Sequence, residues 1–253
     1  MYQFLRKPRW IFLMILVPVL VVLFFYLSEW QRERYDGRND ANAVVERTIS
    51  QPTAPLNEVL AEPPASGTTA QWRQVTASGT YLTESQALVR KKPMQGKVGF
   101  WVVTPLKLDQ ALADGTTVVL VNRGWVPPAT NPNAPLQVPE APSGQVTITG
   151  RLQDMQVAEQ LPDDLPDKQI LSVNPTELTL PTGSKVAPLY INLQASNPPQ
   201  TGDITVMPEP EIDSGPHLSY ALQWIAFAIV LIVGIVILVR REARYQDEGE
   251  STE

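Results

Sequence analysis

Two long apolar runs interrupt an otherwise mixed chain. The first, WIFLMILVPVLVVLFFYL, extends from Trp10 to Leu27, and the second, LSYALQWIAFAIVLIVGIVILV, from Leu218 to Val239. Neither holds a charged residue, and each is long enough to cross about 30 Å of hydrocarbon at about 1.5 Å per residue. They predict two transmembrane helices, residues 10–27 and 217–239. Pro18 removes one backbone donor inside the first and predicts a kink there. A secretory signal also begins with basic residues such as Arg6, Lys7 and Arg9. Here the run ends in Tyr26-Leu27-Ser28-Glu29-Trp30, without small residues at a cleavage site, which favours an uncleaved anchor.

Between the runs the pattern changes twice. Residues 28–70 read as a polar helical extension, with Ala43, Val44, Val45 and Ile49 as a thin apolar stripe, followed by a proline-rich linker holding one short turn at Leu56 to Leu60. Residues 71–195 read as strands: WRQVTASGTYL, QALVR, GFWVVTPLKL, TTVVLVNRGWVP, QVTITGRL and LYINLQA. QVTITGRL alternates, with Val146, Ile148 and Leu152 on one face. VVLV, Val118 to Val121, is apolar on both faces and predicts a central, covered strand. Asp114-Gly115 predicts a hairpin turn, Pro105 an edge or a break, and Asn174-Pro175-Thr176-Glu177 a capped short helix. The stretch Pro127 to Gly144 carries too many prolines for a ladder and predicts an irregular excursion, and residues 196–216 a linker. The expected fold is α+β: two transmembrane helices flanking one barrel- or sandwich-like β-rich domain with a few short helices.

Charge sets the orientation. Arg6, Lys7 and Arg9 precede the first run and Arg240, Arg241 and Arg244 follow the second. Cytoplasmic flanks are enriched in such residues, so residues 1–9 and the tail 240–253 are expected in the cytoplasm and the domain outside. Arg32 and Arg34 lie on the opposite flank but are interleaved with Glu29 and Glu33. From Glu29 to His217 there are 21 acidic residues against 14 basic, a balance of −7. That argues against nucleic acid as a partner, and leaves the lipid bilayer as an expected one.

Composition also narrows the chemistry. With no cysteine, thiol catalysis, copper-thiolate sites and zinc-cysteine sites are excluded, and the domain has no disulfides. The single histidine, His217, is predicted at the membrane surface, so a Ser-His-Asp arrangement in the domain is not available. No phosphate-binding loop or metal loop is present in the sequence. The composition points away from an enzyme.

Three segments occur in a distinctive order: WQRERYDGR after the first run, GFWVVTPLKL followed by DGTTVVLVNRGWVP, and HLSYALQW opening the second run. Together they resemble the Surfeit locus family of cytochrome c oxidase assembly factors, in a bacterial member. LVNRGWVP, Leu120 to Pro127, carries most of the likeness, which spans Trp30 to Trp224 and is weak between Pro128 and Pro188. The resemblance implies a factor of the bacterial cell membrane that helps mature an aa3-type oxidase, by inserting or stabilising haem a in the catalytic subunit. Implied partners are that subunit, haem a synthesis enzymes or a respiratory supercomplex. A resident accessory subunit of the oxidase, or a membrane-anchored binding module, are the alternatives.

The candidate cofactor-binding residues are His217, Tyr220 and Trp224. His217 follows Ser214-Gly215-Pro216 in the first turn of the second helix, and a neutral imidazole there can ligate iron. Helical spacing places Tyr220, Ala221, Trp224 and Ala228 beneath it, where small residues beside aromatics suit a flat macrocycle or a partner helix. The plainer reading makes the rings interfacial anchors. The resemblance implies haem a ligation by His217, although Gly215-Pro216 stands where the family commonly has two asparagines. Arg123, Gly124 and Trp125 are the second candidate group. Arg123 either pairs a carboxylate or caps open carbonyls at its strand end, or it meets a partner carboxylate or a haem propionate. Trp101 and Trp125 read as core or interface aromatics, and Arg90, Lys91 and Lys92 as a solvated turn.

Overall fold

The computed structural model describes residues 3–62, 69–94, 96–129, 138–156 and 165–250. Residues 130–137 of the proline-rich excursion and 63–68 of the first linker lie outside that set. The described residues form three helices, α1 (Pro8–Ile49), α2 (Leu56–Ala61) and α3 (His217–Glu250), with short 3₁₀ turns at Gln3–Arg6, Thr83–Ser85 and Pro175–Glu177. The strands are β1 (Ala54–Pro55), β2 (Gln74–Tyr81), β3 (Ala87–Met94), β4 (Lys97–Leu108), β5 (Val118–Val126), β6 (Gln145–Asp154), β7 (Gln169–Ile170) and β8 (Leu189–Asn197). Two apolar helices thus flank a central β-rich domain. The chain divides into two compact units, Met1–Ala43 with Ile212–Glu253, and Val44–Glu211.

In the β unit, five strands form a closed ring. β2 pairs β6, β6 pairs β8, β8 runs parallel beside β5, β5 pairs β4, and the end of β4 returns to β2. The domain is therefore a small barrel, and the closure turns on Pro105. Upstream of it, Val102 and Val103 pair with β3; downstream, Leu106 to Leu108 pair with β2. The prolyl nitrogen has no hydrogen to donate, so it sits where β4 changes partners. The break predicted at Pro105 is in the pairing, while the strand itself continues.

All five ring strands contribute to the interior, including Val75, Ala77, Leu106, Val119, Val121, Ile148 and Leu193. Leu120 points the other way, into a second cluster with Val89, Val103, Ile170 and Tyr190. Every residue of β5 is buried, as its two-sided apolar pattern requires. Burying one such aliphatic side chain is worth about 1.5–3 kcal/mol. β6 alternates only as far as Ile148; the register with β8 shifts between Thr149 and Gly150, after which Arg151 and Leu152 are both buried. Asp114-Gly115 lies in a nine-residue connection between β4 and β5, longer than a tight hairpin. Asn174 caps its 3₁₀ turn as predicted, accepting from the Thr176 amide.

Arg90, Lys91 and Lys92 lie within β3, not in a solvated turn. Pairing skips Arg90 and Lys91 at a bulge, with Lys91 at φ +57°. Lys92 turns inward over the Trp101 ring, 4.3 Å from its centroid, and burial lowers its pKa.

The predicted linker after β8 is pinned to the barrel. Gln200 bonds Arg123, Thr205 exchanges two backbone hydrogen bonds with Trp125, and Glu209 accepts from Arg151 and Gln194. Residues 198–209 form a strap across the domain.

In the helical unit, α1 and α3 run antiparallel, joined by Arg9 to Glu242 at one end and Gln31 to His217 at the other. α1 continues unbroken through Pro18. Its 42 residues span about 63 Å, twice a hydrocarbon thickness. The helix therefore includes the polar extension, where Arg32 pairs with Glu29 and Asp36. Ala221, Ala228 and Ala243 of α3 are buried in the seam. Both helices are long and apolar enough to cross a membrane. Phe12, Ile15, Val22 and Val230 stand exposed on their outer faces, a surface suited to hydrocarbon.

Candidate functional site

The lead-in to α3 is organised by α1. Asp213 accepts from the Gly215 amide at 2.9 Å, and Gly215 takes φ +69°, a left-handed conformation adopted most readily by Gly and, after it, by Asn. Arg38 donates Nε to the Asp213 carbonyl at 2.8 Å, and Ser214 bonds Asn39. Pro216 follows, and its carbonyl accepts the Tyr220 amide as the helix starts. The result presents His217 at the seam, half-buried, with Nδ1 2.9 Å from Gln31 Oε1.

Nδ1 is set against an amide oxygen, which suits the tautomer that donates from Nδ1 and keeps a lone pair on Nε2. Among the described residues Nε2 takes no hydrogen bond; Gly215 lies beside it, where an added Cβ would stand in contact with the ring, 3.6 Å from Nε2, and 3.9 Å from Arg38 Nη1. A ring oriented through one nitrogen with the other available is the arrangement that metal-ligating histidines use. His217 thus offers one imidazole nitrogen, a donor type that would suit a haem iron.

The other two residues of this group separate. Trp224 faces α1 and stacks on Phe24, with centroids 5.6 Å apart and planes at 26°, while Phe227 closes the cluster edge-on. Ser28 donates to the Ala221 carbonyl one turn nearer His217. The small-residue face is therefore filled by the chain's own first helix, the partner-helix alternative, and leaves no slot there for a macrocycle. Tyr220 lies at the rim, 47% exposed.

The α1 residues that shape this site were not singled out from sequence. Phe24, Gln31 and Arg38 are spaced by sevens, as are Trp10 and Val17 before them. That repeat is the signature of a helix seam. It was legible, although the partner was not.

Arg123, Gly124 and Trp125 belong to the β unit. Arg123 is completely buried. Its Nε donates to Gln200 Oε1, Nη1 to Gln86 Oε1 and the Pro139 carbonyl, and Nη2 to the Glu140 carbonyl, all within 3.0 Å. Among the described residues it makes no ion pair, so it caps open carbonyls and does not pair a carboxylate. With its donors engaged and its side chain enclosed, it is not presented to a propionate or a partner in this structure. Desolvation lowers its pKa, and burial pushes Tyr81, whose ring lies 5.8 Å from the guanidinium, up to about 12. Gly124, at φ +140°, is where the strap passes closest: an added Cβ would lie 2.5 Å from the Thr205 carbonyl. Trp125 is buried, its Nε1 donating to the Lys92 carbonyl and its ring against Gly99. All three hold the strap and the core together. The β unit also carries a cleft of about 440 Å³ between β2 and the β4–β5 connection, lined by Asn57, Ser78, Asp109, Gln145 and Thr147.

Comparison with known proteins places this arrangement among relatives. The model of the SURF1 family matches residues 19–229. Two mycobacterial proteins, each described as an uncharacterised SURF1-like protein, from Mycobacterium tuberculosis (strain H37Rv) and Mycobacterium bovis, are 33% identical over 245 residues. Those matches cover 95% of this chain and 87% of each relative. A SURF1-like protein of Monosiga brevicollis is 28% identical over 251 residues, covering 89% of this chain and 85% of its own.

Proposed function

The chain belongs to the SURF1 family, and from that premise we propose that it is an assembly factor for an aa3-type cytochrome c oxidase. It acts by binding and not by turnover, holding haem a for, or stabilising it in, the catalytic subunit. The observation that carries the haem part of this reading is His217, held through Nδ1 by Gln31 so that Nε2 is the open ligand. When bound, haem a would supply the iron that the imidazole ligates. Gln31 orients the ring, Gly215 carries no Cβ to press on Nε2, and Tyr220, one turn along α3, is exposed.

The protein sits in the bacterial cell membrane with both termini cytoplasmic and the barrel outside. The Arg9–Glu242 pair, which brings the two basic flanks to one end of the helical unit, supports both termini on one side. A resident accessory subunit is the second reading, but its small-residue docking face is filled by α1.

Production together with haem a synthesis enzymes, followed by purification, tests the proposal. The wild-type chain is expected to carry a haem a spectrum that His217→Ala abolishes and Gln31→Leu weakens. A colourless protein whose deletion leaves the oxidase with its full haem complement would overturn it.

A further inference from the structure

At the termini end of the helical unit, α1 and α3 part around an apolar groove of about 540 Å³. Leu13, Val17 and Pro18 line one side, Ile232 and Val236 the other, and Arg240 stands at its mouth. Arg240 also lines a second concavity of about 460 Å³, with Arg241, Arg244 and Tyr245. One side chain therefore joins a greasy slot to a basic cup. Arg241 stacks on Tyr245 and donates to its hydroxyl, which sets one wall of the cup. Among the described residues, none of the three arginines has an ion-pair partner. The neighbouring carboxylate, Glu242, is engaged by Arg9.

We infer that this end of the helix pair is a binding site for an anionic diacyl phospholipid. One acyl chain lies in the groove between Val17 and Val236, and the phosphate sits on Arg240 and Arg244. Three features select this occupant over a generic annular lipid. The groove is wide and apolar where the seam elsewhere closes on alanines. The charged side chains that line the groove and the cup, Arg240, Arg241 and Arg244, are all cationic and complement a phosphodiester. Arginines at i and i+4 on a helix are neighbours, so Arg240 and Arg244 can meet one headgroup. Neither haem nor the oxidase enters this inference.

Native mass spectrometry of the full-length protein in detergent, with lipids of identical acyl chains added back, is the test. Dioleoylphosphatidylglycerol is expected to form a one-to-one adduct with roughly thirtyfold higher affinity than dioleoylphosphatidylcholine, the discrimination that two arginine contacts provide. Arg240→Gln with Arg244→Gln should erase that preference, and the same pair changed to lysine should keep it. Val236→Trp, which fills the groove, should lower occupancy by both lipids, and excess inorganic phosphate should displace neither. Equal binding of the two lipids, a preference that survives the glutamine pair, unaltered binding to Val236→Trp, or displacement by free phosphate would each overturn the inference. Unchanged helical circular dichroism in every variant excludes misfolding as the cause.

Discussion

Gly124→Ala isolates the cost of detaching the strap from the barrel. Gly124 sits at φ +140°, a region that L side chains rarely adopt, and an added methyl would lie 2.5 Å from the Thr205 carbonyl and 3.0 Å from Ile204. Holding alanine in that conformation costs about 1–3 kcal/mol. Moving the strap away breaks the two backbone hydrogen bonds between Trp125 and Thr205, of 2.7 and 2.9 Å, at about 1 kcal/mol each. The total, about 3–5 kcal/mol, lowers Tm by roughly 10 °C for a domain of this size. Gly115→Ala is the control: it too has positive φ, +83°, but open space around it, so it should cost only about 1–2 kcal/mol. Thermal unfolding of the full chain in detergent measures both, and hydrogen exchange at the Trp125 and Thr205 amides tells strap release from general strain. If Gly124→Ala lowers Tm no more than Gly115→Ala and both amides keep their protection, the strap is not held at this point and the reasoning fails.

Three further outcomes follow from the contacts described. The Asp114 carboxyl is held at about 2, chiefly by the Thr116 amide and hydroxyl and then by Lys185; because the folded value lies below the unfolded one, its stabilisation is present at neutral pH and disappears as pH falls through about 2. An NMR titration of the carboxyl should show that midpoint, moving upward in Thr116→Val. Arg151→Met should destabilise the β unit more than Glu209→Gln in urea unfolding, because the Trp72 carbonyl and Glu209 both lose a donor, whereas the exposed Glu209 pair alone is worth at most about 1 kcal/mol. Ala228→Leu should overpack the helix seam by about 1–3 kcal/mol; in this cysteine-free chain, Arg9→Cys with Glu242→Cys should be bridged by a short bis-maleimide, and more slowly once Ala228→Leu is added.

The apolar runs, the two-sided β5 and the Asn174 cap were legible because each is decided by local pattern: length, alternation and a side chain within three residues. Barrel closure was not. It depends on β4 changing partners at Pro105 and on β8 entering beside β5, and both pairings join segments whose sequences carry no mark of each other. The strap was misread for a related reason. Its prolines and Gly202 look like a linker, while its anchors, Gln200, Thr205 and Glu209, act through a few hydrogen bonds to Arg123, Trp125 and Arg151. Arg151 alternates onto the face of β6 opposite Val146, Ile148 and Leu152, yet that face is covered at this end of the strand, where Arg151 meets Glu209 and also donates to the Trp72 carbonyl. At the candidate site, His217 could be named because it is the chain's single histidine, whereas Gln31, 186 positions away, could not.

The seven-residue spacing along the helix seam gives the two helices a shared rotational phase. From His217 to Glu242 is about 37 Å along α3, with a polar contact to α1 near each end and alanines between. Such a helix behaves as a shaft keyed at both ends. One residue inserted between those positions would rotate one key by about 100° relative to the other, so that Gln31 could meet His217 only if Arg9 released Glu242. The azimuth of the imidazole is thus set from the far side of the seam as well as by its immediate neighbours.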